Sequence, residues 1–101
     1  MLKELANYDE EVLQPKDAVL KVYGAHCGPC KMLVPVIEHI ADANPSTPIY
    51  EIEGSSNYDL MTKLGIVSVP TVIFYKDGVE RERIVGLNPQ EKYQSAIDKL
   101  T

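Results

Sequence analysis

Two cysteines separated by two residues constrain this chain more than any other feature. Cys27 and Cys30 are its only cysteines, and they stand between an apolar run, residues 18–23, and a long helical pattern. This order places Cys27 where a strand ends and a helix begins, and the free N–H groups and dipole there favour a thiolate. Two cysteines in a first helical turn are close enough to bridge, with the N-terminal sulfur facing solvent. A Cys-x-x-Cys pair near a βαβ pattern is a redox signature.

The length, charge and composition of the chain limit the classes of protein to which it can belong. The 101 residues predict a single domain, residues 1–101, and 45% hydrophobic with 25% charged residues is ordinary for a globular chain. A net charge of −5 without a basic cluster argues against a nucleic-acid partner. No apolar run reaches membrane-spanning length, and residues 1–5 lack the features of a secretory signal. We therefore expect a cytoplasmic protein with no membrane partner, whose cysteines are catalytic or metal-binding rather than structural.

The rest of the pattern predicts strands alternating with helices. After the cysteines, apolar residues recur at helical spacing and are expected on one face of a helix: Met32, Leu33, Val36, Ile37 and Ile40. Asp77-Gly78 is a strong hairpin signal, and the last helix is expected to have Asn88 as its cap and Pro89 at its first position. Strands are expected over residues 2–5, 18–23, 49–53, 72–75 and 80–85. Parallel strands joined by helices, with one antiparallel hairpin, indicate an α/β fold whose mixed central sheet is flanked by helices on both faces.

Several short motifs give the chain a resemblance to the thioredoxins over nearly its whole length. They are Cys-Gly-Pro-Cys-Lys-Met at 27–32, Pro35 in the following helix, Val-Pro-Thr at 69–71, Lys-Asp-Gly at 76–78 and Val-Gly at 85–86. A lone Cys-x-x-Cys is a weak signal, but its combination with the later motifs is specific. The resemblance implies the thioredoxin fold and a cis peptide bond before Pro70, beside the two sulfur atoms.

The resemblance also implies protein-disulfide reductase activity that maintains cell redox homeostasis, without a cofactor. In such chemistry Cys27, as a thiolate, attacks a disulfide in a substrate protein, and Cys30 then attacks Cys27 to release the reduced target. An enzyme of the thioredoxin-reductase type would restore the dithiol. An extended substrate segment is expected to dock on a shallow groove. The substrate-binding residues implied are His26, Gly28, Pro29, Val69, Pro70 and Gly86.

Three positions depart from the thioredoxin pattern. His26 stands where the family usually carries Trp; a charged imidazole would stabilise the thiolate, or the change only removes an aromatic contact surface, and the sequence leaves both open. Lys21 and Glu51 stand where the family usually has a buried Asp and a Lys, which predicts the same ion pair with its partners exchanged. Glu51 then becomes the candidate base for Cys30, and Lys21 a stabiliser of the thiolate. The alternative is that Lys21 extends to solvent and Glu51 lies on an exposed face.

Other functions compete with this interpretation. A glutaredoxin-like enzyme would use glutathione, but the Cys-Gly-Pro-Cys pair and the absence of an obvious basic clamp for glutathione count against it. A non-enzymatic docking subunit could use the same fold. A zinc site built from His26, Cys27, Cys30 and His39 does not match the ligand spacing of structural zinc sites, so no metal is expected.

Overall fold

A mixed sheet of five strands forms the centre of the molecule. The computed structural model describes residues 2–101, and within them the strands are β1 (Leu2–Glu4), β2 (Asp17–Tyr23), β3 (Ile49–Glu53), β4 (Thr71–Lys76) and β5 (Val79–Val85). Their order across the sheet is β1-β3-β2-β4-β5. β1, β3 and β2 are parallel to one another, whereas β4 runs antiparallel to β2 and β5 runs antiparallel to β4. The predicted α/β class and mixed sheet are confirmed.

Helices cover both faces of this sheet. They are α1 (Gly28–Ala43), α2 (Tyr58–Leu64) and α3 (Gln90–Asp98), with a short π-helical turn at Asp9–Leu13 and a 3₁₀ turn at Gly54–Ser56. Side chains of α1 and α3 share one apolar cluster with one face of the sheet, and Met61 of α2 and Val12 of the π-helical turn share another with the opposite face. The prediction of helices on both faces is also confirmed.

The alternation of side chains along β2 explains the two core layers. Val19 packs in the layer under α1 and α3, whereas Leu20 packs in the layer under α2. Successive strand residues point to opposite faces, so a strand that is apolar at consecutive positions must be covered on both sides. Each large aliphatic side chain buried here contributes about 1.5–3 kcal/mol of hydrophobic stabilisation. The buried β2 ends at Tyr23, four residues before the first cysteine, and so fixes the place of the active site.

Two local expectations about the helices are wrong. Met32 is 64% exposed and lies off the buried stripe of α1 that holds Leu33, Ile37 and Ile40. The last helix begins at Gln90, with Pro89 as its N-terminal cap residue. Asn88 does not cap that helix, because its side-chain amide donates instead to the backbone oxygens of Val85 and Gly86, both at 3.1 Å. Asn88 therefore holds the loop that follows β5.

The hairpin between β4 and β5 uses the predicted pair of turn residues. Asp77 has φ of 52° and Gly78 has φ of 77°, and two consecutive left-handed residues are what a type I′ turn requires. A Cβ atom on Gly78 would lie 2.5 Å from the backbone oxygen of Leu13, so glycine is also required by close packing against the π-helical turn. This hairpin lies at the end of the sheet away from the cysteines, since Asp17 of β2 pairs with Lys76.

Candidate active site

The two cysteines of the Cys-x-x-Cys motif are joined by a disulfide bond. Their Cα atoms are 5.2 Å apart. Cys30 is buried in the first turn of α1, with 3% of its surface exposed, whereas Cys27 is only partly buried, and Gly28 and Pro29 between them are exposed. The N-terminal sulfur is thus the one that an incoming protein can reach, as the sequence predicts.

The start of α1 places backbone donors around the Cys27 sulfur. Cys27 is the N-terminal cap residue of this 16-residue helix, and the N–H of Cys30 donates to its Sγ at 3.1 Å. A sulfur in this position receives the stabilisation that capping side chains receive, and after reduction the helix dipole adds to it. Hydrogen bonds and dipoles of this kind favour the thiolate over the thiol form of Cys27 once the disulfide is reduced.

Gly24 allows a neighbouring loop to approach Cys27 closely. The backbone oxygen of Val69 lies 3.8 Å from Cys27 Sγ. A Cβ atom on Gly24 would lie 3.0 Å from Cγ2 of Val69 and 3.3 Å from Cβ of Cys27, closer than such atoms normally pack. Sequence reasoning missed this role, although the glycine directly after a buried strand was a visible signal.

The loop before β4 joins the loop after β5 beside the sulfurs. The Val69–Pro70 peptide bond is cis, which is what the resemblance implies. The N–H of Gly86 donates to the Pro70 oxygen at 2.8 Å, and Gly86 itself has φ of 85°. The hydroxyl of Tyr93 donates to the Gly86 oxygen at 3.1 Å, so α3 also anchors this loop. The structure therefore brings together Val69, Pro70 and Gly86, three of the predicted substrate-binding residues.

Lys21 and Glu51 form the ion pair expected from the sequence. The Nζ atom of Lys21 lies 3.4 Å from Oε1 of Glu51, and the side chains are 1% and 29% exposed. The two residues lie directly opposite each other in the β2–β3 register. Lys21 Nζ also lies 5.7 Å from the ring centroid of Tyr23, a cation–π distance. Lys21 does not extend to solvent, which excludes the alternative that the sequence left open.

A cleft connects this pair with the buried cysteine. It has a volume of about 670 Å³, and Lys21, Glu51 and Cys30 all line it, together with Tyr23 and Lys31. The cleft is open to solvent, although Cys30 itself exposes only 3% of its surface. Cys30, the ion pair and solvent therefore border one continuous space.

Glu4 extends the charged cluster to the edge of the sheet. It lies opposite Glu51 in the β1–β3 register, so the row Glu4, Glu51 and Lys21 crosses three strands. Burial and the neighbouring carboxylate of Glu51 raise the pKa of Glu4, and its hydrogen bond with Tyr23 lowers that pKa in part. Burial, followed by the charge of Glu4, raises the pKa of Tyr23. Sequence reasoning did not single out Glu4, because its contact with Glu51 depends on the strand register.

His26 is exposed, directly before Cys27 in the chain, and its charge influences the carboxyl group of Glu53. Hydrogen bonds from the hydroxyls of Ser55 and Ser56 lower the pKa of Glu53, and the charge of His26 lowers it further. Glu53 therefore stays ionised near the imidazole. Within residues 2–101, no group of three or more His, Cys, Asp or Glu side chains is arranged to hold a metal ion.

The similarities to known proteins extend over most of the chain. The family model described as Thioredoxin matches residues 1–99. Thioredoxin-2 of Saccharomyces cerevisiae is 37% identical over 89 residues, which are 87% of this chain and 86% of that protein. A thioredoxin of Staphylococcus haemolyticus is 33% identical over 95 residues, 93% of this chain and 90% of that protein. A solved mutant thioredoxin of Halobacterium salinarum superposes with a TM-score of 0.88 at 26% identity, covering 100% of this chain and 89% of that one.

Proposed function

This chain belongs to the thioredoxin family, and from that premise we propose that Cys27 is the attacking cysteine and Cys30 the resolving cysteine of its reaction. Thioredoxins are thiol–disulfide oxidoreductases, so this protein is a protein-disulfide reductase, and redox homeostasis is the usual role of such enzymes. The observation that supports the assignment best is the position of Cys27 Sγ at the cap of α1, where it accepts the Cys30 N–H at 3.1 Å.

The exchange proceeds in two displacements. The Cys27 thiolate attacks one sulfur of the target disulfide, so that the target S–S bond breaks and a mixed disulfide forms, and the first target sulfur leaves as a thiolate and takes a proton. Cys30 then loses its proton and attacks the Cys27 sulfur. The mixed disulfide breaks, the second target sulfur leaves, and the Cys27–Cys30 bond forms. Two electrons have passed from this protein to the target.

Glu51 is our candidate for the base that takes the Cys30 proton. It shares the 670 Å³ cleft with Cys30, and its partial exposure lets it pass the proton on to water. Lys21 holds the carboxylate in place through the 3.4 Å contact, and its buried charge also favours a thiolate across the cleft. In this assignment Glu51 takes the proton from the Cys30 thiol, and Lys21 positions Glu51.

Substrate binding is assigned to the exposed surface around Cys27. We propose that an extended target segment lies on the groove between the Val69–Pro70 backbone and the Gly86 loop, since main-chain pairing suits an extended chain. His26, Gly28 and Pro29 complete the contact surface beside the sulfur. The hydrogen bond between Gly86 and Pro70, at 2.8 Å, supports this assignment because it holds the two walls of the groove together.

The reductant, the cellular location and the domain organisation belong to the same proposal. We assign an NADPH-dependent reductase of the thioredoxin-reductase type as the donor of the two electrons, and the cytoplasm as the location, in line with the bacterial thioredoxins that the chain resembles. No helix within residues 2–101 is long and apolar enough to cross a membrane. Residues 1–101 act as one domain, because the two apolar clusters lie on opposite faces of a common sheet.

A coupled turnover assay tests the assignment of the cysteines. NADPH oxidation is followed with a thioredoxin reductase and insulin as the disulfide substrate, for the wild type, Cys27→Ser and Cys30→Ser. We expect turnover by the wild type only, with a covalent complex accumulating on the Cys30→Ser variant and not on Cys27→Ser. A complex that forms on Cys27→Ser instead would reverse the roles, and activity with glutathione alone at an equal rate would argue for the glutaredoxin-like function.

The roles given to Lys21 and Glu51 are tested by restoring the arrangement usual in the family, with an acidic residue at position 21 and Lys at position 51. We expect the Lys21→Asp/Glu51→Lys double variant to have a more reducing potential than the parent, because Lys21 no longer stabilises the thiolate form. The potential is measured by equilibration with glutathione buffers. In addition, Glu51→Gln should slow the release of the target from the mixed disulfide more than its formation. An unchanged potential together with unchanged release would contradict the roles given to both residues.

A further inference from the structure

The ammonium group of Lys21 is deeply buried but has few protein partners. Its side chain is 1% exposed, and within residues 2–101 its one side-chain hydrogen bond is the long contact with Oε1 of Glu51 at 3.4 Å. A lysine ammonium carries three N–H donors, and a charge held away from water needs compensating partners. Another group that faces the same cleft therefore has to contribute.

The ring of Tyr23 is that group. Tyr23 lies two residues after Lys21 in β2, so the two side chains point to the same face of the sheet. The Nζ atom of Lys21 is 5.7 Å from the centroid of the ring, within the range in which an aromatic face attracts a cation. Such contacts are stronger when the cation is removed from water. The ring and Glu51 therefore both stabilise the buried ammonium.

The ring interacts with Lys21 as a neutral phenol. Burial raises the pKa of Tyr23, and the nearby carboxylates, first that of Glu4, raise this pKa further. Tyr23 is half-buried and lines the cleft together with Lys21, Glu51 and Cys30. Without the ring, the ammonium has room in the cleft to leave the position in which it orients the Glu51 carboxylate.

We propose that Tyr23 is a positioning residue for the resolving step: its ring holds the Lys21 ammonium, and Lys21 in turn holds Glu51 for its reaction with the Cys30 thiol. The proposal rests on the roles given above to Lys21, Glu51 and Cys30. In this role Tyr23 contacts no reacting atom and acts only through Lys21. Its effect therefore belongs to the attack of Cys30 on the mixed disulfide, and not to the first attack by Cys27.

A single turnover of the reduced protein with a disulfide peptide separates the two attacks. Samples are quenched with acid at successive times, and mass spectrometry follows the formation and the decay of the mixed disulfide. We expect Tyr23→Leu to slow the decay about fivefold, because one cation–π contact is lost, and to change the rate of formation by less than about twofold. Tyr23→Phe and Tyr23→Trp keep an aromatic face and should retain the wild-type rate of decay.

A double-mutant cycle with Lys21→Met tests whether Tyr23 acts through Lys21. Lys21→Met should itself slow the decay of the mixed disulfide. Tyr23→Leu should then add no further loss, because no cation remains for the ring to hold. If Tyr23→Leu does not fold, Tyr23→Met takes its place in the cycle, since a flexible Met side chain fills irregular space.

Tyr8→Leu provides the matched control. The centroid of the Tyr8 ring lies 5.6 Å from Nζ of Lys63, almost the same cation–π distance. Tyr8, however, packs against the apolar cluster on the opposite face of the sheet. This variant should keep the wild-type rates of formation and decay of the mixed disulfide.

Three outcomes would overturn the proposal. One is an unchanged rate of decay in Tyr23→Leu, a second is an equal loss in Tyr23→Phe, which would assign the effect to the hydroxyl, and a third is a loss that persists in full beside Lys21→Met. If Lys21→Met alone left the decay unchanged, the role given to Lys21 in the proposed function would fail, and that of Tyr23 with it. Slow decay in Lys21→Met with wild-type decay in Tyr23→Leu would remove only the role of Tyr23.

Discussion

Lys21 affects both the stability of this molecule, through its buried ion pair, and the proposed chemistry of its cysteines. It is one of the largest fully buried side chains of the sheet, and the contact with Glu51 at 3.4 Å is the ion pair that offsets its charge. A buried ammonium without a partner is costly, so the family arrangement can be reversed only if both members of the pair change together. The side chain of Glu51 is 29% exposed, so its own desolvation is modest.

Removal of the carboxylate at position 51 should therefore destabilise the fold. We expect Glu51→Gln to lower the free energy of unfolding by roughly 2 kcal/mol, because Lys21 is left buried beside a weaker partner. The additional change Lys21→Met should recover most of that loss, since it removes the isolated charge. Urea unfolding of the oxidised protein measures both effects.

The surface pair of Glu80 and Arg83 is the control for this experiment. These side chains are 38% and 26% exposed and form a 2.7 Å contact. Glu80→Gln should cost only about 0.5 kcal/mol, because exposed ion pairs contribute little. Equal losses from Glu51→Gln and Glu80→Gln would contradict the burial argument.

Gly24 is the second residue on which the site depends. Gly24→Ala places a methyl group 3.0 Å from Cγ2 of Val69, so either Val69 or Cys27 has to move. We expect a loss of about 1–3 kcal/mol in unfolding free energy, with a lower kcat/KM for insulin reduction. Gly28→Ala is the control for stability, because a Cβ atom there meets nothing within 4 Å. A Gly24→Ala variant as stable and active as the parent would show that the close approach is not needed.

Among the secondary-structure elements, the π-helical turn before β2 has a cap that responds to pH. The side chain of Glu11 accepts hydrogen bonds from the N–H groups of Ala6 at 2.7 Å and Asn7 at 2.9 Å, and Asn7 in turn accepts from the N–H of Glu10 at 3.0 Å. The hydrogen bond from Asn7, followed by that from Ala6, lowers the pKa of Glu11. This reciprocal arrangement resembles a capping box and keeps the turn closed over the second core layer.

The sign of the resulting pH dependence follows from that lowered pKa. A carboxyl group with a lower pKa in the folded state stabilises the fold above its ordinary pKa, and this contribution disappears as the pH falls through the folded-state pKa. We expect Glu11→Gln to be less stable than the wild type at pH 7 and equal to it in acid. Thermal unfolding between about pH 3 and 7 measures the difference.

Glu10→Gln is the matched control and should be as stable as the wild type at pH 7, because within residues 2–101 the Glu10 side chain accepts no hydrogen bond. A Glu11→Gln profile parallel to that of the wild type at every pH would disprove the role of the cap.

For the molecule as a whole, periodicity and turn chemistry were sufficient to predict the α/β class with a mixed sheet, whereas the thioredoxin fold itself was implied by the resemblance. The buried β2, the Asp77-Gly78 hairpin and the Cys-x-x-Cys at a helix start each have a local signature in the sequence. Met32 was expected on the buried face of α1 but is exposed. It lies at the edge of the apolar stripe, where packing neighbours rather than spacing determine burial. Asn88 was expected to cap the last helix, but its side-chain amide donates to a backbone oxygen in the Gly86 loop instead.

The site was predictable only where its residues are close in sequence or known from the family. The Lys21–Glu51 pair was inferred from two departures that compensate each other. Glu4 was not found, because its contact with Glu51 is created by the pairing of β1 with β3, and one sequence does not fix that register.

The central claim is that the start of α1 holds Cys27 as the reactive thiolate, while Cys30 stays buried until it resolves the mixed disulfide. The most direct test is the rate at which iodoacetamide alkylates each cysteine of the reduced protein at neutral pH, resolved by mass spectrometry. The account predicts alkylation of Cys27 at least about ten times faster than that of Cys30. Equal rates, or faster alkylation of Cys30, would contradict it.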